Sequence, residues 1–256
     1  IRDSPVTGVQ TCALPILILR IIGDITTEGA AGKAMQFGGD GISDMSVESR
    51  LTLTNMTTEA GAKNGIIEPD QKVFDYISER GVTKYDAVYD DEDAQYEKTF
   101  EYEASELEPV VAKPFSPQNV SVVRETGSID IDKSYIGSCT GAKYEDLLAA
   151  AKILKGRTVK VRTEVLPATI SIYKKATENG LTQIFINAGA VVGPPTCGAC
   201  CGAQMGVLAK DEVCVSTTNR NFPGRMGHLE SKAYLASPLV VAASAVTGKL
   251  TDPRDL

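Results

Sequence analysis

Cys139, Cys197 and Cys200 carry the most chemistry in this chain. Two stand in Cys197-Gly198-Ala199-Cys200 and the third in Gly137-Ser138-Cys139-Thr140, and each group follows a stretch that reads as a β-strand. Three thiolates gathered at one sheet edge could hold three corners of an iron–sulfur cube. A four-thiolate electron carrier fills every iron, whereas three thiolates leave one iron for a substrate. The spacing alone leaves other outcomes open. C-G-x-C also occurs in thioredoxin-like redox sites at a helix N-terminus. Cys139, Cys197 and Cys200 with His228 or Cys214 could bind zinc, and two buried, unligated cysteines would need no function at all. Cys214 alternates inside a strand and reads as structural, as does Cys201, which points away from its neighbour.

A second group is richer in detail. Thr218-Asn219-Arg220-Asn221-Phe222-Pro223-Gly224-Arg225 places two arginines five apart around a turn. Guanidinium groups so fixed form a double clamp for carboxylates; the plain alternative is two surface arginines in a loop. Asn55 and Glu59, four apart in a helical stretch, share one face.

These residues need elements to bring them together. Residues 17–80 read as helix-rich, with a helix or two over 46–62 and an amphipathic helix over 71–79 closed by Gly81. The run 65–70 reads as punctuation, 90–93 as a solvated acidic loop, and 99–103 as an exposed strand. Pro109, Pro114 and Pro117 mark a connector. Beyond it the text alternates: strand 133–137, helix 142–155, strand 158–165, helix 170–178, strand 183–187, strand 212–216 and helix 238–246. Such alternation predicts an α/β fold with mostly parallel sheets covered by helices. Its ligand crevice lies beyond the carboxyl ends of the strands, where segments 80 residues apart can meet. The expected division is a helix-rich α/β domain over 17–113 and a cluster-binding α/β domain over 114–256.

Taken together, Tyr135-Ile136-Gly137-Ser138-Cys139-Thr140, Cys197-Gly198-Ala199-Cys200 and Thr218 to Arg225 resemble the aconitase superfamily. Thr54-Asn55-Met56-Thr57-Thr58-Glu59-Ala60-Gly61-Ala62 is similar to its Asn–Met–x–x–Glu helix. Tyr234-Leu235-Ala236-Ser237-Pro238 through Asp252-Pro253-Arg254 resembles the large-subunit family of isopropylmalate dehydratases. The resemblance runs from about Leu17 to Leu256. It implies that Cys139, Cys197 and Cys200 ligate a [4Fe–4S] cluster with one iron open to a hydroxy dicarboxylate. It further implies that Glu59 is catalytic, bonding the oxygen of the departing hydroxyl. Asn55 and Asn219 would stand beside the cluster, and Arg220 and Arg225 would hold substrate carboxylates. The implied reaction is dehydration and rehydration by a hydro-lyase of leucine biosynthesis, with homoaconitase-type or methylated-malate enzymes as the alternative. One departure is plain: Gly141-Ala142-Lys143 stands where the family continues Asn-Gly-Arg. The family's catalytic histidines belong to a more N-terminal region, and its proton-abstracting serine to a small, swivelling subunit. The expectation is therefore a chain incomplete at its N-terminus, inactive alone and dependent on that partner. Residues 6–16 resemble a translated sequencing adapter, so 1–16, Cys12 included, is expected to be foreign to the natural protein.

Bulk properties agree. The 256 residues are 43% hydrophobic with a formal charge of −7, enough for a substantial core and without a basic run. That balance argues against nucleic acid, RNA-sensing relatives of the family included, and against anionic membranes as partners. Six cysteines in so long a chain do not make a disulfide scaffold. The apolar run 14–22 is too short to span a bilayer. A reducing cytoplasm is the expected compartment.

Overall fold

Short strands pair across long sequence distances into one seven-stranded sheet, and helices cover it. The computed structural model describes residues 13–256. Of the adapter-like stretch, the part up to Cys12 lies outside the described residues, whereas its last four residues open the first helix. In chain order the elements are α1 (Ala13–Ile25), β1 (Ala34–Phe37), α2 (Asp40–Asp44), α3 (Val47–Met56), β2 (Asn64–Ile67), α4 (Gln71–Ser78), β3 (Val110–Ala112) and β4 (Val120–Val122). Then follow β5 (Lys133–Ile136), α5 (Ser138–Gly141), α6 (Tyr144–Leu154), β6 (Arg162–Val165), α7 (Ile170–Glu178), α8 (Leu181–Asn187), β7 (Val191–Val192), β8 (Val213–Ser216), β9 (Lys232–Ala236) and α9 (Pro238–Thr247). No described helix is long and apolar enough to cross a membrane.

The large sheet has the order β4-β3-β9-β8-β5-β6-β7. From β9 to β7 all neighbours are parallel, and β3 joins β9, and β4 joins β3, antiparallel. The chain builds outward from β5 through β6 and β7, then returns to lay β8 and β9 on the other side. β5 and β8 therefore flank the point where winding reverses, the place where open α/β sheets form a crevice. Every residue of β5 is buried, as a central strand covered on both faces must be. Helix α9 is apolar nearly all round and buried along Pro238–Ala245. Ser237 caps it, accepting from Val240 N, and Gly248 at φ 78 closes it in the left-handed conformation.

Three sequence expectations are corrected. Residues 183–187 are not a strand but part of α8: Leu181 and Phe185, four apart, bury one face, and Gly180 at φ 76 starts the turn. The strand ahead of Cys197 is instead β7, two residues long. Residues 99–103 find no pairing partner and lie in an exposed segment without helix or strand. The punctuation at 65–70 contains most of β2, which pairs parallel with β1. The break read at residue 113 falls in the turn between the paired strands β3 and β4. Val110, Ala112 and Leu235 of the large sheet share a core with Ile18, Leu19 and Ile22 of α1 and with Leu53 and Met56 of α3.

Buried Arg50 fixes how α3 sits. Its Nε donates to Ile42 O at 3.1 Å, and its Nη2 to Ser43 O at 2.9 Å and to Asp70 Oδ2 at 2.5 Å. Asp70 is also the N-cap of α4. The guanidinium hydrogen bond holds the Asp70 carboxyl below the usual carboxylate range. Its folded pKa lies under the unfolded one, so the stabilisation is complete above about pH 4 and is lost as pH falls through the folded value. Arg50→Met is expected to cost about 2–3 kcal/mol at neutral pH. Urea midpoints in a pH series should show the gap between parent and variant narrowing below pH 4.

Candidate functional site

The carboxyl end of β5 turns sharply into the first cysteine. Ser138 stands at φ 77, a strained position for a residue with a side chain. Its Oγ accepts from Thr140 N at 3.1 Å and from Gly141 N at 3.4 Å. Thr217, just past β8, clips the two strand ends together: its Oγ1 accepts from Gly137 N and donates to Gly137 O, both at 2.9 Å. Cys139 thus emerges at the opening of α5, its side chain exposed.

The helix α3 reaches the same point. Asn55 Nδ2 donates toward Cys139 Sγ at 3.8 Å, and Asn55 Oδ1 accepts from Thr140 Oγ1 at 2.9 Å, which sets the amide's orientation. Lys143 locks this approach. Its buried ammonium donates to Cys139 O at 3.0 Å, Thr140 O at 2.7 Å and Thr52 Oγ1 at 2.6 Å, and Thr52 Oγ1 donates on to Thr140 O at 2.9 Å. Burial pushes the ammonium's pKa down. The sequence marks Lys143 only as part of the departure from Asn-Gly-Arg and does not show this role, and Thr52 carries no signal. Lys143→Met removes three hydrogen bonds at once. It is expected to lower stability by about 1.5–3 kcal/mol, read as a shift of the urea midpoint, with Lys143→Arg intermediate.

Beyond α3 the helix tightens into a single 3-10 turn, Thr57–Ala60, which carries Glu59. Asn55 and Glu59 therefore do not share one regular helix as their spacing suggests. Glu59 is nearly sequestered, its side chain 3% exposed. Oε1 accepts from Arg220 Nε at 2.7 Å and from Asn219 Nδ2 at 3.0 Å. Both donors follow β8, so the carboxylate spans from the small-sheet half of the chain to the large sheet. The other end of the Asn219 amide faces Cys200, with Oδ1 4.0 Å from Sγ.

The second pair of cysteines sits on the loop after β7. Cys197 is exposed, and Cys200 is buried on a 3-10 turn, Gly198–Cys201. Arg225 Nη2 points at Cys200 Sγ from 3.9 Å. Burial pushes the Cys200 thiol up, Arg225 draws it back, and the nearby Cys139 and Cys197 thiols push it up further. Of the described cysteines, Cys139, Cys197, Cys200, Cys201 and Cys214 are all free of disulfides. Cys214 is sealed within β8, where burial pushes its thiol up to about 12, and His228 is spent accepting from Glu230 N. Among the described residues no three His, Cys, Asp or Glu side chains are grouped to hold one metal ion. That speaks against a compact zinc site, where all donors meet at one atom. A cube takes each thiolate at a different iron and needs no such closeness.

The two arginines do not stand as an idle clamp. Arg220, 39% exposed at its side chain, gives its Nε to Glu59. Arg225 faces a sulfur, and its buried Nε has no hydrogen-bond partner among the described residues. A buried donor left so asks for a bound acceptor. Free thiols with amide and guanidinium donors aimed at their sulfurs, beside an unmet cationic donor, suit an anionic iron–sulfur group with an anionic ligand. They do not suit a disulfide.

Residues 16–248 match the family described as "Aconitase family (aconitate hydratase)". The chain is 52% identical over 242 residues to a Clostridium kluyveri protein named "3-isopropylmalate dehydratase large subunit", covering 94% of this chain and 58% of that one. With "3-isopropylmalate dehydratase large subunit 1" of Pyrococcus abyssi it shares 52% over 244 residues, again 94% and 58%. With the large subunit so named in a Hydrogenobaculum species it shares 50% over 242 residues, 94% and 57%. The chain thus spans rather less than two thirds of the length of the curated relatives it matches.

Proposed function

Because the chain belongs to the aconitase family, we propose that it serves as the cluster-binding part of a hydro-lyase large subunit acting on a hydroxy dicarboxylate. The observation that carries this is the run Cys139–Asn55 and Glu59–Asn219–Cys200–Arg225 at the switch point between β5 and β8. Cys139, Cys197 and Cys200 would hold a [4Fe–4S] cluster. When bound, the cluster supplies a Lewis-acidic iron that helps the substrate's hydroxyl leave.

The chain's own residues do the remaining work. Asn55 and Asn219 orient the cysteine loops. Glu59, pinned through Oε1, can hold or give a proton at its other oxygen as the hydroxyl departs. Arg220 and Arg225 bind carboxylates; the Arg225 Nε–H, unpartnered and buried, would gain its acceptor from substrate. The proton on the neighbouring carbon needs a base from elsewhere, and a small partner subunit is the proposed source. The named relatives favour 3-isopropylmalate as substrate; leucine biosynthesis in the cytoplasm is the proposed setting.

Anaerobic reconstitution tests the reading. Iron and sulfide are expected in equal amounts, about four of each per chain, with a broad visible absorption and no turnover by the chain alone. With a cognate small subunit and the family's remaining N-terminal residues, dehydration is expected, fastest on 3-isopropylmalate against homocitrate and methylated malates. Stoichiometric zinc, or dehydratase activity of the chain alone, would contradict it.

A further inference from the structure

Two side chains beneath the cysteine loop take no part in the function proposed above, yet both touch that loop. Lys133 and Tyr135 alternate on β5 and so share a face; Ser134 and Ile136 face the other way, toward α9 and its core. The Tyr135 Oη donates to Cys197 O at 2.8 Å. The Lys133 ammonium, wholly buried, pairs with Glu164 Oε2 on β6 at 2.9 Å and donates to Gly206 O. These contacts bracket the loop: one at its first cysteine, the other nine residues on.

The backbone is shaped to receive them. Gly198 stands at φ 50, and a Cβ there would run into Leu166 and the Tyr135 hydroxyl. Gly206 stands at φ 78, and a Cβ there would collide with the Glu164 carboxylate and the Lys133 ammonium. At both points the chain lies directly on the β5 anchors, with room only for glycine. Between them Ala199 packs on Tyr135, Leu166 and Met226 in a small core of its own.

A buried Lys–Glu pair is not needed to stabilise a sheet, since an apolar pair of similar volume often does as well. What an apolar pair cannot do is bind a carbonyl and fix where a loop passes. We propose that Lys133 and Tyr135 are positioning residues that pin the 197–206 loop from the sheet beneath, so that Cys197 and Cys200 stand preset before anything binds them. The consequence for an iron–sulfur group, which rests on the function proposed above, is slower release of the cluster.

Two variants test this without demanding that the fold fail. Tyr135→Phe removes one hydroxyl and keeps the ring. Lys133→Met with Glu164→Leu replaces the ion pair by apolar bulk. Iodoacetamide alkylation of each cysteine in the chain without metal is followed by mass spectrometry, and loss of visible absorbance is followed after reconstitution. In both variants Cys200 should alkylate about five-fold faster, the effect of one lost net hydrogen bond. Cys139 should keep the parent's rate, the melting temperature should fall by no more than about 2–4 °C, and the cluster should leave about five-fold sooner. Parent rates at Cys197 and Cys200 in both variants would overturn the proposal. If the parent takes up no iron and sulfide while Cys200 still opens in the variants, the pinning stands and the cluster reading falls.

Discussion

Serine at Cys139, Cys197 or Cys200 is expected to abolish retention of iron and sulfide in the reconstituted chain, whereas Cys201→Ser and Cys214→Ala should leave it at the parent's level. The contrast follows from the sulfur atoms themselves. A serine hydroxyl neither ionises in the accessible range nor offers the soft donor that iron–sulfide takes. Cys201 bonds back to Gly198 O on its own turn. Cys214 is sealed inside β8 with its thiol pushed up to about 12, so no thiolate is at hand. Five single variants assayed for iron, sulfide and visible absorption decide the matter. Retention by any of the first three, or loss in either of the last two, would break the proposed ligand set.

Glu59→Gln is expected to lower kcat of the assembled enzyme by roughly 10²–10⁴-fold, the range for a positioned acid–base group. KM and cluster content should change little. Glutamine keeps an oxygen that can accept from Asn219 and Arg220 but cannot store or release a proton. The near-complete burial of this carboxylate and its two donors hold it in one place, so the loss should fall on the chemical step and not on binding. A rise in KM with kcat intact would recast Glu59 as an orienting partner of Arg220 only.

The second half of the fold was legible because its elements announce themselves locally. Helix α6 carries Leu147, Ala151 and Leu154 on one stripe and ends at Gly156, and α9 has its Ser-Pro start and Gly stop. What escaped depends on distant partners. β1 and β2 are four residues each, too short for a period, and exist because they pair across 30 residues. β9 looks like any mixed run until β8 and β3 flank it. Residues 183–187 are a short apolar run that fits a strand as well as a helix, and only the packing of Leu181 and Phe185 in the core tips them to helix. At the site, the motifs point to side chains that could touch a ligand. They are silent on Thr52, Thr217 and Lys133, and they include Tyr135 and Lys143 without showing that these act through backbone carbonyls. A lysine opening the strand that leads into the Cys139 motif is the one signal that could have exposed Lys133.

Glu59 arrives on the turn after α3 and its two donors on the segment after β8, so the proposed reactive centre is a weld across a joint. Joints part before blocks crumble. Dilute urea is therefore expected to extinguish the proposed substrate binding while far-ultraviolet ellipticity still reads as intact, and recovery on dilution should be prompt, since the strands and helices stay formed.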